Sequence, residues 1–295
     1  MLNYLSDFFK EFEYSEQDAA HLMSCANQIA ENDAARGYFE QAIYAYEADM
    51  NCDYGQAMHQ ARRAGNAVGM HNFSAELLLF ICFSRKLRER YIENGIELAI
   101  WHDSMLDLRY KLDECLAVYG ICGSFVAGWF PGFFNLTRFA LGRLQFELHE
   151  FDRDYEVGGV TVRKGDKAIN MHIPRSGQPL SPALYEDAFA RAKAFFKDTF
   201  PTDQPALFVC HSWLLYPDTA KFVPTHLNVC KFLSEFTILD SHYNNGEDLW
   251  RLFDTLEQHP DRLPADTSLR RAFVAHLKEG GRVGWGYRIS FVISA

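Results

Sequence analysis

Three stretches in the second half of the chain, "RLQFELHEF", "INMHIP" and "FVCHSW", each set a histidine inside a run that otherwise reads as a buried strand. Alternate side chains of a strand point to opposite faces. That count puts Gln145, Glu147 and His149 on one face and Phe146 and Leu148 on the other. It pairs Asn170 with His172, opposite Ile169, Met171 and Ile173, and groups Val209, His211 and Trp213, opposite Cys210 and Ser212. Where the three strands share a sheet and the faces coincide, Glu147, His149, Asn170, His172 and His211 line one partly enclosed site. A carboxylate among imidazoles is the material of acid–base chemistry near neutral pH.

The same parity excludes other chemistries. Neighbours on a straight strand point apart, so His211 is badly placed to serve as base for Ser212 as nucleophile. A serine hydrolase also needs a sharp GxSxG elbow, which the chain lacks. Ser212 is expected to hydrogen-bond backbone or ligand. The histidines show neither HxH nor HExxH spacing, so no metal site is expected. Each histidine alone reads as a satisfied structural group, and the coincidence on three strands is what raises a functional reading.

Strands and helices must hold these groups in place. The first half carries helical periodicity over about 16–30, 34–50, 54–68, 72–94 and 97–119, with Ser15 as an N-cap, and reads as an all-helical domain spanning 1–134. From 135 to 295 strands alternate with helices. "VTVRKGDKAINMHI" reads as two strands folded about Lys164-Gly165-Asp166, and Ser181-Pro182 opens a long helix. The fold class is therefore α+β, a helical domain followed by a sheet with packed helices. Between the halves, 117–137 runs without a charge, but its glycines and Pro131 interrupt it too often for a membrane span. The cluster of Trp129, Phe130, Phe133 and Phe134 reads as core between the two domains.

Composition narrows the partners. A net charge of -10 and scattered basic residues argue against nucleic acid. Seven widely spaced cysteines without a CxxC pair fit reduced thiols in a cytoplasmic protein, and no secretory leader opens the chain.

"LGRLQFEL", "INMHIP" with the following "PLSPALYEDAFARAKAFF", and "FVCHSWLLYP" resemble the C-terminal, GNAT-like domain of bacterial acyltransferase domain-containing proteins, in which it follows a helical N-terminal acyltransferase domain. The resemblance covers about residues 135–290. It implies acyl transfer from acyl-CoA or acetyl-CoA to an amine, a small-molecule substrate. Such transfer needs amides for the pyrophosphate, a gap between splayed strands for pantetheine, and a base. On that resemblance Glu147 and His172 are the candidate bases and His211 an orienting or oxyanion-facing donor, with His149, Asn170, Ser212 and Asn228 as binding groups. The family's Q/R-x-x-G-x-G/A loop is missing after "CHSWLL", which leaves amides near Thr225 to Asn228 as one place for the phosphates. The alternative is a noncatalytic ligand-binding or protein-interaction module on the same scaffold.

Overall fold

The computed structural model describes residues 2–157, 160–200 and 206–291. The chain forms two compact units, Met1–Phe139 and Ala140–Ala295. The first is helical: α1 (Leu2–Glu11), α2 (Glu16–Glu31), α3 (Asp33–Ala48), α4 (Tyr54–Ala67), α5 (Asn72–Glu93), α6 (Leu98–Tyr119) and the single turn α7 (Pro131–Phe134). The five long helices stand where the periodicity put them. The Ser15 hydroxyl caps α2 by accepting from the Asp18 amide at 3.1 Å. α5 crosses the middle of this unit and buries Leu77, Leu78, Leu79, Phe80 and Ile81 in succession, as a helix surrounded by others must.

The uncharged stretch 117–137 does not continue as a helix. Gly120 takes a left-handed conformation (φ 67°) that ends α6, and short turns carry the chain to α7. Among the described residues no helix is long and apolar enough to cross a membrane. Phe130, Phe133 and Phe134 are buried within the helical unit itself, with the Phe80 ring 5.1 Å from Phe130 and 5.0 Å from Phe134.

The strands and remaining helices follow in the order β1 (Arg138–Leu141), β2 (Leu144–Glu150), β3 (Tyr155–Val157), β4 (Val160–Val162), β5 (Lys167–His172), α8 (Pro182–Phe195), β6 (Leu207–Ser212), α9 (Thr219–Phe222), α10 (Asn228–Ser234), β7 (Thr237–Tyr243), α11 (Trp250–Phe253), α12 (Ser268–Lys278) and β8 (Gly284–Phe291). Six strands form one mixed sheet in the order β1-β2-β5-β6-β8-β7, and β3 with β4 forms a separate ribbon. β5 runs parallel to β6, while β2 with β5, β6 with β8 and β7 with β8 are antiparallel. α8 covers one sheet face, its Phe189 ring lying 4.9 Å from Phe208 and 6.5 Å from Phe146.

Two expectations are corrected. The strands on either side of Lys164-Gly165-Asp166 exist, but they do not pair with each other. Both edges of β5 are taken by β2 and β6, so β4 turns away and pairs with β3 instead. Trp213 does not extend the β6 face shared by Val209 and His211. β6 ends at Ser212, and Trp213 begins a tight turn that packs its indole 5.7 Å from Phe273 of α12.

Candidate active site

The register decides which side chains can meet. β2 and β5 place Glu147 opposite Asn170, Gln145 opposite His172 and His149 opposite Ala168, and directly paired residues share a face. Asn170 stands beside Val209 across the parallel pair, and His211 stands opposite Tyr287 on β8. Glu147, His149, Asn170, His172 and His211 therefore do lie on one face, the one that α8 leaves uncovered.

Three of them form a bonded cluster. Glu147 Oε1 lies 2.7 Å from His172 Nε2 and 3.0 Å from Asn170 Nδ2, and Asn170 Nδ2 is 3.3 Å from His172 Nε2. Asn170 Nδ2 can only donate, so the carboxylate oxygen accepts from the amide. The shorter 2.7 Å contact is a charge-assisted bond in which the imidazole Nε2–H donates to Glu147. The proton-accepting lone pair of the neutral ring then belongs to Nδ1, with the ring held by its carboxylate as a base is held in a dyad. Side-chain exposures of 20% for Glu147 and 19% for His172 leave the pair shielded yet reachable.

His149 and His211 sit apart from that bond. The Tyr287 hydroxyl is 2.9 Å from His149 Nε2. Burial pushes the Tyr287 phenol up, so it keeps its proton and donates. Burial also pushes the His149 imidazole below its usual range, which suits an acceptor nitrogen. His211 is exposed, its ring 4.6 Å from Trp285, 5.5 Å from His242 and 6.1 Å from Tyr287. Loss of hydration, followed by the neighbouring His242, lowers its pKa. Ser212 points to the other face and its Oγ accepts from the Leu214 amide at 3.3 Å, which shapes the turn after β6. Asn228 opens the seven-residue α10, which packs Phe232 on Tyr185 of α8 at 5.3 Å.

The backbone beside His172 has features that residue counting missed. The parallel register joins Ile169 to Phe208 and Asn170 to Val209, yet β5 runs on to His172 and β6 to Ser212 without further pairing among the described residues. The ladder thus ends short of the C-terminal ends of both strands, the end at which a βαβ unit offers a crevice. The connection from β5 enters α8 at that same end. In it, the amides of Ser176, Gly177, Leu180, Ser181 and Ala183 find no acceptor among the described residues. Ser181 occupies the N-cap position of α8 without a side-chain capping bond, and Pro182 follows at the first turn. Among the described residues no group of three His, Cys, Asp or Glu side chains is placed to hold a metal ion.

Two sequence families divide this chain between them. The N-acyltransferase N-terminal domain matches residues 3–136, and the GNAT-like C-terminal domain matches residues 138–288. The chain belongs to the GNAT-like C-terminal domain family, with the N-acyltransferase N-terminal domain matched ahead of it. No curated protein sequence matches it. Four solved chains share the fold, three of which follow. An acyltransferase in complex with decanoyl-CoA and teicoplanin is 22% identical, with a TM-score of 0.77 over 98% of this chain and 87% of its own. An acyltransferase with CoA and 10C-teicoplanin is 22% identical, with a TM-score of 0.74 over 96% and 86%. An acyltransferase with decanoyl-CoA is 20% identical, with a TM-score of 0.63 over 98% and 99%. In this family member the helical unit and the sheet unit correspond to the two matched domains, and the end of the β5–β6 ladder beside His172 lies in the GNAT-like one.

Proposed function

We propose that the protein transfers an acyl group from acyl-CoA to an amine, with His172 as general base and Glu147 as the carboxylate that orients it. The 2.7 Å bond between them, just beyond the end of the β5–β6 ladder, carries this reading. Family membership supports it, as do three neighbours of the same fold whose structures hold CoA or decanoyl-CoA.

The pantetheine arm enters between β5 and β6, where the ladder of paired residues ends at Asn170 and Val209 among the described residues. The pyrophosphate sits on the open amides between Ser176 and Ala183, where α8 adds the positive end of its dipole. This connection, not the stretch from Thr225 to Asn228, is the better phosphate site. The amine nitrogen attacks the thioester carbonyl carbon, and His172 Nδ1 takes the proton that the nitrogen sheds. The tetrahedral adduct collapses to an amide and releases CoA as a thiolate, which is protonated. Asn170 holds the Glu147 carboxylate in line with the ring. His211 and His149 lie along the same face, where they line the acceptor side.

The test is product formation. Purified protein with decanoyl-CoA and a panel of primary amines should yield free CoA and an acylated amine by mass spectrometry. His172→Ala should lower the rate by about 100-fold or more, the range of a lost general base. Unchanged turnover in that variant would overturn the assignment.

A further inference from the structure

The sheet face that carries the Glu147 cluster also carries a group of rings that the acid–base chemistry does not use. His211 stands opposite Tyr287, and His242 of β7 stands opposite Trp285, so β6, β8 and β7 together place four rings side by side. His211 is at their centre, its ring 4.6 Å from Trp285, 5.5 Å from His242 and 6.1 Å from Tyr287. Where the same face is aliphatic it is covered: Val209 and Ile289 are fully buried, packed with Phe151 and Val162. One row further along the strands the rings are open. His211 and His242 are exposed, and Trp285 and Tyr287 are half-buried. Ring surface gathered in the open beside a covered core is the kind of patch that takes a ligand.

The polar ends of the two large rings are already committed. The Trp285 indole N–H donates to Asp248 Oδ2, and the Tyr287 hydroxyl donates to His149 Nε2 at 2.9 Å. Those bonds fix both ring planes and leave the faces for a ligand. The carboxylates beside them are engaged as well. Asp248 also accepts from Asn244 Nδ2 at 2.7 Å and from Arg251 Nε at 3.0 Å, and Asp240 pairs with Arg153 at 2.5 Å. Loss of hydration and the neighbouring His242 lower the His211 pKa, so near neutral pH His211 too presents an uncharged ring. What this wall offers is ring faces, and ring faces select a flat ring. Its position ties that ring to the proposed chemistry. Asn170 stands beside Val209, so His172 and His211 are the next residues on this face of neighbouring strands. Strands in a ladder lie about 4.8 Å apart, which puts β8 about two spacings, ~10 Å, from β5. One small molecule can therefore set its nitrogen at His172 and its ring on the wall.

We propose that the acceptor is an arylalkylamine, a primary amine on a short chain from an aromatic ring, and that Trp285 and His211 select it by stacking on that ring. The proposal rests on the acyl-transfer reading above, and the two fail separately. The full-length protein is assayed with decanoyl-CoA and two amines of equal chain length and similar size, 2-phenylethylamine and 2-cyclohexylethylamine. Only the first has a π face. In the wild type kcat/KM should be about fivefold or more higher for the aromatic amine, with the difference in KM. Trp285→Leu should bring that ratio to within twofold of one, and Trp285→Phe, which keeps a ring without the N–H, should hold it at threefold or more. Where the Leu variant does not fold, His211→Leu at its exposed position should at least halve the ratio. A merely structural Trp285 would slow both amines equally and leave the ratio unchanged. A wild-type ratio near one, or an unchanged ratio in the folded variant, would overturn the proposal while acyl transfer stands. Transfer to other primary amines but to neither of these two would do the same. Transfer to no amine at all would remove the acyl-transfer reading first, and this proposal with it.

Discussion

His172 and Glu147 illustrate how one short bond assigns roles to two residues of similar promise. Because Nε2–H is committed to the carboxylate, the proposed mechanism has Glu147 act on the ring and His172 on the substrate. Glu147→Gln keeps the size but loses the charge, and a rate loss of about 10- to 100-fold with intact folding is expected from a lost orienting group. Steady-state kinetics beside a urea titration would check it. His149 gives a pH dependence instead. Its folded-state pKa is lowered by burial, so the unfolded chain binds its proton more readily. Stability from this group is complete above the unfolded histidine range, about pH 6.5, and is lost as pH falls from there toward the lower folded value. His149→Gln should flatten that decline in urea titrations between pH 7 and 5.5. An unchanged slope would place the acid sensitivity elsewhere.

At the level of elements, the strand faces were legible because a period of two is unforgiving. Placing Glu147, Asn170 and His172 together required only the parity of β2 and β5 and their pairing. What counting residues could not show was where each strand stops pairing. The ladder between β5 and β6 ends at Asn170 and Val209 although both strands run on, and no side-chain pattern encodes that end. The partner of β4 was misread for a related reason. A turn at Gly165 (φ 90°) suits a hairpin locally, but β5 had both edges claimed by distant strands. The open amides before α8 were likewise hidden, since they belong to backbone and no side-chain pattern marks them. Glycines on β8 have an equally nonlocal origin. A Cβ on Gly286 would stand 1.9 Å from the Leu215 carbonyl oxygen, which accepts from Arg288 Nε at 2.8 Å. Gly286→Ala should destabilise the protein by about 3 kcal/mol, the upper part of the usual range for overpacking, read from a chemical denaturation midpoint.

Over the whole molecule, the helical unit was the more legible half, since five amphipathic periods translate directly into five helices. The cysteines are spread through both units and all seven are free thiols. Burial pushes the Cys210 thiol up to about 12 and the Cys115 thiol up to about 11, which makes both poor nucleophiles near neutral pH. Alkylation by iodoacetamide at pH 7.5, mapped by mass spectrometry, should leave these two unmodified until denaturant is added. Early labelling of either would show that its burial is incomplete in solution. A net charge of -10 also means that a polyanionic ligand such as the CoA of the proposed function would gain nothing from the overall field, so its phosphates are expected to rely on local groups such as the open amides before α8. The most direct measurement of that claim is amide hydrogen exchange on the wild-type protein with and without decanoyl-CoA. Protection concentrated at 171–183 and 208–213 is the expected result. Protection confined to 225–230 or to the helical unit, or none at saturating ligand, would contradict a binding site between β5 and β6.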